Sequence, residues 1–214
     1  MTPYAEALAL QEAAVAEVLA GGRERAYFVE HPPCFTTGTG AMPSELLDVG
    51  GIPVIPTGRG GKTTYHGPGQ RVVYVIKDLR ETRDLREHIA NLQQWLIASL
   101  RELGVEGFAT DDVGVWVKAG LQDDRVTGLQ DDRVTGLQER DFAKIAAIGV
   151  RVRKWVAYHG IALNVNPDLT AYNRIVPCGL AKPVTSLAVL GCTASMADVD
   201  KALFNNLGRL QGPQ

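Results

Sequence analysis

The chain has 214 residues, 45% of them hydrophobic, and a formal net charge of −2. That balance suits one domain with a sizeable core and argues against a nucleic-acid binder, which carries a strongly basic face. No apolar run nears the roughly 20 residues of a membrane span, and the N-terminus, MTPYAEALALQEA, lacks the basic start of a signal peptide. The three cysteines, Cys34, Cys178 and Cys192, have no framework spacing and point to free thiols in a reducing cytosol.

In chain order, Ala, Leu and Glu predict a helix over residues 4–19, stopped by Gly21 and Gly22. A short strand follows over 26–29, ended by His31-Pro32-Pro33, then a loop from Cys34 to Gly38 and a strand over 52–55 closed by Pro56. His31 reads as a strand-end polar group rather than a pocket residue.

Residues 58–74, GRGGKTTYHGPGQRVVY, stand apart. Five glycines surround Arg59, Lys62, Tyr65 and His66, a density that lets backbone approach a ligand. The ordinary reading is a long surface turn, but the crowded polar side chains make it a candidate site. A phosphate-binding loop is rejected: Pro56 stands where that motif needs glycine, and a strand follows where it needs a helix.

That strand covers 72–76. Leu85, Ile89, Leu92, Leu96, Leu100 and Leu103 then mark one apolar helix stripe, capped by Thr82 and stopped by Gly104, with Trp95 in the core or at its rim. Residues 113–117 form a strand. Next, LQDDRVTG occurs twice, at 121–128 and 129–136. Two copies are too few for a solenoid, and the calcium-loop pattern is absent. We read about 119–140 as a hairpin insertion without catalytic role.

Residues 142–152 are a strand holding Lys144 in apolar company. Such a lysine ordinarily snorkels at a strand end; the sharper reading is a partly desolvated amine able to act as a base. Arg151, Arg153 and Lys154 make a basic strand edge that Arg59 and Arg71 would extend. In the strand over 155–165, Gly160 after His159 marks close approach by backbone or ligand. A helical turn follows from Pro167. Cys178, between Pro177 and Gly179, sits in a loop rather than an apolar run, which sets it apart from an inert core thiol. A short helix opens over 183–187, and Ser195 with Asp198 forms a capping box for the last helix. The pattern gives an α/β (α+β) fold, a mixed β-sheet flanked by helices, in a single domain over 1–214.

RGGKTTYHGPGQ, GVW, KIAAIG, HGIALNV, IVPCG and VTSL, in that order, with EHPP and Gln11 upstream, resemble the lipoyl(octanoyl) transferases of lipoate synthesis. The resemblance implies the fold of lipoate and biotin protein ligase catalytic domains. It also implies transfer of an octanoyl group from acyl carrier protein to a lysine of lipoyl domains, in 2-oxoacid dehydrogenases and the glycine-cleavage H protein. It assigns Cys178 as nucleophile, forming an acyl-thioester intermediate, and Lys144 as base. Substrate binding falls to Arg59, Gly60, Gly61, Lys62, Thr63, Thr64, Tyr65 and His66, to Ala147, Ile148 and Gly149, and to Gly160, Ile161 and Ala162, with His159 in support. Backbone N–H groups beside Cys178 or His159 would hold the oxyanion. No cofactor, metal, nucleic acid or membrane is implied, and the enzyme is expected in the cytoplasm. The repeat just upstream of Lys144 departs from the family pattern and puts lysine placement in question. Two other readings stay open: an ATP-dependent lipoate or biotin ligase, which needs no PCG cysteine, and a non-catalytic lipoyl-domain binder, against which Lys144 and Cys178 together argue.

Overall fold

The computed structural model describes residues 1–118, 142–176 and 183–211. The helix expected first is present as α1, Tyr4–Leu19. It is followed by β1 (Arg25–Val29), β2 (Cys34–Thr37), β3 (Val54–Pro56), β4 (Thr64–His66) and β5 (Gln70–Asp78). Then come α2 (Leu85–Glu102), β6 (Gly107–Phe108), β7 (Val115–Lys118), β8 (Phe142–Arg153), β9 (Val156–Asn164) and α3 (Met196–Asn205). Among the described residues no helix is long and apolar enough to cross a membrane.

Six strands build one sheet in the order β1-β5-β9-β8-β7-β6, antiparallel at every pairing. The mixture of directions lies in a second sheet, β3-β2-β4, where β2 runs parallel to β3 and antiparallel to β4. Alternation along β5 sorts the two faces of the large sheet. Val73 and Val75 pack under α2 and α3 with Leu92, Trp95, Leu96, Val199 and Leu203. Val72, Tyr74 and Ile76 face α1 with Ala7, Ala14, Val15 and Val18. Trp95 is fully buried, and its Nε1–H donates to the Leu203 carbonyl at 2.8 Å, tying α2 to α3.

Several expectations need correction. Residues 34–37 are a strand, because their backbone finds partners in β3 and β4, neither adjacent in sequence. Asp84 caps α2 in place of Thr82, its carboxylate accepting from Glu87 N–H. No helix opens at Pro183: Val184 bridges to Lys144 and a turn follows. Lys154 leaves the strand and forms, with Trp155, the tight turn between β8 and β9, both at positive φ (50° and 63°). The capping box of α3 forms as expected from Ser195 and Asp198. The proposed insertion at about 119–140 lies outside the described residues.

Candidate active site

A cavity of about 230 Å³ lies on the α1 side of the large sheet. Its floor follows from cross-strand register. Ala147, Ala162 and Val72 pair across β8, β9 and β5 as one row, and Gly149, Gly160 and Tyr74 form the next. Four of these six are alanine or glycine, so the floor is a trench. Gly160 cannot be larger: a Cβ there would stand 2.1 Å from the Val73 carbonyl oxygen, so the close approach expected in this strand is by backbone. A Cβ on Gly149 would stand 3.0 Å from Arg59 Cδ, which lies across β8. Arg59, Gly61, Lys62, Thr63, Thr64 and His66 wall the trench from the glycine-rich loop and β4.

Lys144 stands at the β7 end. Val115 pairs with Ala146 but Trp116 pairs with Lys144, so β8 carries one extra residue, a β-bulge. In a regular strand Lys144 and Ala147 would face opposite sides. The bulge brings both onto the cavity, while Ile145 and Ala146 stay in the core under α2. The lysine is only 9% exposed. Its Nζ donates to the Val113 carbonyl at 3.2 Å and lies 4.6 Å from the Trp116 ring centroid. Gly114 makes room: its φ is 141°, and a Cβ would stand 3.1 Å from Lys144 Cε and 2.8 Å from the Ala146 carbonyl oxygen. The GVW motif thus holds the lysine from below. From the other side, Lys144 N–H donates to the Pro183 carbonyl at 2.8 Å, and Thr185 N–H donates to the Lys144 carbonyl at 3.0 Å.

The far end is a cluster of rings from α1, β4 and β5. Arg59 donates to Thr36 Oγ1 and to its carbonyl. With that hydroxyl oxygen already accepting, its proton goes to His66 Nε2, at 3.2 Å. His66 Nδ1–H then donates to Gln70 Oε1, at 2.6 Å, fixing the neutral tautomer. His31 Nδ1–H donates to the Thr2 carbonyl at 2.6 Å, and its Nε2 accepts from Tyr74 at 2.7 Å. His31 is therefore an interior anchor, not the strand-end polar group expected. His159 sits at φ 62° and is 2% exposed, with its own N–H donated to Gln11 Oε1 at 2.9 Å. That N–H is taken, so it is no oxyanion donor. Gln11 holds a strained backbone instead.

Burial keeps these imidazoles neutral. It pushes His66 down to about 3 and His159 to about 4, helped by the Arg59 charge, and lowers His31 as well. His88, on the buried side of α2, is also pushed down to about 4, again chiefly by burial. In the unfolded chain each titrates near 6.5 and takes up a proton that the folded state refuses. The folded state is therefore at full stability above about pH 6.5 and loses roughly 1.4 kcal/mol per histidine per pH unit as pH falls toward the folded values. Acid unfolding followed by far-UV circular dichroism should show uptake of two or more protons between about pH 6.5 and 4. Uptake of fewer than one would contradict this account.

Of the residues named from sequence, Arg59, Gly61, Lys62, Thr63, Thr64, His66, Lys144, Ala147, Ile148, Gly149, His159, Gly160, Ile161 and Ala162 all line the cavity. Two do not. Tyr65 points the other way on β4, into the small core against Phe35 and Tyr172. Gly60 supports the loop by donating its N–H to the Val150 carbonyl at 2.9 Å. Cys178 lies outside the described residues. Sequence reasoning missed Tyr4, Val72, Tyr74, Asp112, Val113 and Trp116. The first three carry no local signal and are recruited by α1 packing on β5. Arg59 and Arg71 do not extend a basic surface: both are buried, and Arg71 pairs with Asp200 at 2.7 Å.

The lipoyl protein ligase A/B catalytic domain model matches residues 3–208. The octanoyltransferase of Rhodopseudomonas palustris (strain BisA53) is 48% identical over 221 residues, covering 98% of this chain and 86% of that protein. That of Maricaulis maris (strain MCS10) is 49% identical over 210 residues, covering 95% and 84%. Among solved structures, a T. acidophilum protein described as a lipoate protein ligase, with lipoic acid bound, superposes with a TM-score of 0.70 at 19% identity, over 96% of this chain and 80% of that one. At that identity the likeness is one of fold.

Proposed function

The chain belongs to the lipoyl protein ligase A/B catalytic-domain family and, within it, to the octanoyltransferases, and from that premise we propose how this acyltransferase of lipoate synthesis works. The donor is octanoyl-acyl carrier protein, and the acceptors are lysines of lipoyl domains in 2-oxoacid dehydrogenases and the glycine-cleavage H protein. Cys178 attacks the donor carbonyl, the carrier thiol leaves with a proton, and a thioester forms on the enzyme. The acceptor amine then attacks this thioester, giving up a proton to Lys144, and Cys178 is released. A thioester is already activated, so no ATP or cofactor enters.

The observation that carries this reading is the end-on placement of a buried lysine at a trench of small residues. Chain connectivity supports the pairing with Cys178. Cys178 lies five residues before Pro183 in the chain, and the Pro183 carbonyl accepts from Lys144 N–H, a tether of no more than ~18 Å. Arg151 and Arg153 are exposed on β8 just beyond Gly149, and neither has an ion-pair partner among the described residues. Such charges would steer an acidic carrier. Free Cys34 and Cys192 suit work in the cytoplasm.

The test supplies octanoyl carrier and a lipoyl domain without ATP and reads the acceptor by intact mass. One added octanoyl group is the expected result. Modification that requires ATP and free octanoate would assign the chain to ligase chemistry, and binding without modification would make it a lipoyl-domain binder.

A further inference from the structure

The trench has a length as well as a direction. It begins at Lys144 on β8, beside Trp116 of β7, crosses β9 and ends on β5. No residue of β1 is among the described residues lining it, although Val29 of β1 pairs with Val72. Across the strands, the floor row from Ala147 on β8 through Ala162 to Val72 on β5 spans two strand spacings, ~9.6 Å. An extended eight-carbon chain, with C–C bonds of about 1.5 Å, covers ~9 Å.

The floor changes character at that distance. Ala147 with Ala162, and Gly149 with Gly160, leave it low; Val72 and Tyr74 then raise it. The raised end is stiff. Tyr74 is held through its hydroxyl by His31, itself tied to the Thr2 carbonyl. Tyr4 closes over it, its ring 5.4 Å from that of His31 and stacked 6.3 Å from that of His66.

We propose that Val72 and Tyr74, closed over by Tyr4, are the end stop of the acyl trench and set the donor chain at about eight carbons. This rests on the reading of the cavity as the acyl site. A terminal methyl that reaches Val72 meets a rigid wall, and a longer chain must either bend or leave carbons in water. One methylene too many or too few in such a pocket changes discrimination by roughly 10- to 200-fold.

Two variants move the stop in opposite directions. Val72→Ala lowers the wall and should raise the ten-carbon to eight-carbon ratio of kcat/KM at least tenfold. Ala162→Val raises the floor one strand earlier and should shift preference from eight carbons to six. Soluble acyl thioesters of six, eight and ten carbons serve as donors. Calorimetric binding of the matching free fatty acids gives a readout that needs no turnover, and circular dichroism checks folding. If Ala162→Val fails to fold, Val72→Ala alone decides the matter. Folded variants that keep the parent order of chain lengths in both readouts would overturn the end stop. If the unaltered protein binds no acyl chain of any length, the reading of the cavity itself falls.

Discussion

The Cys178→Ala protein, incubated with octanoyl carrier, is expected to keep its unmodified mass and to lose transfer by several orders of magnitude, because without the nucleophile there is no acyl-enzyme to resolve. The parent protein should gain one octanoyl group, released by hydroxylamine as a thioester is. Of the three cysteines in the chain, the other two make poor rivals. Cys34 is buried on β2, and burial pushes its thiol up to about 11, leaving almost no thiolate at neutral pH. Cys192 turns its Sγ toward the Leu103 carbonyl, at 3.6 Å, beside the core under α2. An adduct that survives in Cys178→Ala and maps to either of them would end the assignment.

Lys144→Arg should lower transfer about 10²- to 10⁴-fold, the usual contribution of a positioned proton acceptor. Arginine keeps the charge over Trp116 but does not surrender a proton in any working range. A merely structural lysine would behave differently, since a retained cation would restore the packing and most of the rate. The steps separate by mass: the variant should still accumulate octanoyl enzyme but pass it slowly to the acceptor amine. Folding needs its own check, because Gly114 and Trp116 leave the side chain little space; an unchanged thermal midpoint would show that the loss is chemical. Turnover near that of the parent would reduce Lys144 to a packing residue.

What could be read ahead of the structure divides by the range of the interaction involved. Two helices were legible from local signals: α1 at its full extent, through its Ala, Leu and Glu content and the glycines that stop it, and α3 through Ser195 and Asp198. The stripe of α2 was legible too, though its cap was misplaced by two residues, because Thr82 and Asp84 are both competent caps and backbone geometry chooses between them. Strands β2 and β4 were not legible. Three- and four-residue strands carry too few side chains to show alternation, and their partners come from other parts of the chain. In the site, the described motif residues other than Gly60 and Tyr65 converge on one cavity, whereas its far wall was invisible in advance. Tyr4 reads as an ordinary first-turn helix residue, and Val72 and Tyr74 as ordinary core. Only the register of β5 against β9 brings Val72 and Tyr74 to the trench, and only the packing of α1 on β5 brings Tyr4. The facing of Lys144 was equally hidden, since a bulge depends on two strands together and KIAAIG alone carries no mark of it.

The ladder between β7 and β8 closes at Lys118 and Phe142, and the Phe142 ring meets that of Phe108 at 4.9 Å, two residues before the lysine. Whatever happens to chain length between those two positions arrives at a junction already fixed on both sides. Lengthening such a segment is thermodynamically cheap, with even a doubling adding only about 0.6 kcal/mol of closure entropy. Two adjacent copies of LQDDRVTG fall between those positions. Deleting one copy, residues 129–136, is therefore expected to leave both fold and transfer intact, which the thermal midpoint and intact-mass transfer would check; loss of either would give the segment a role of its own.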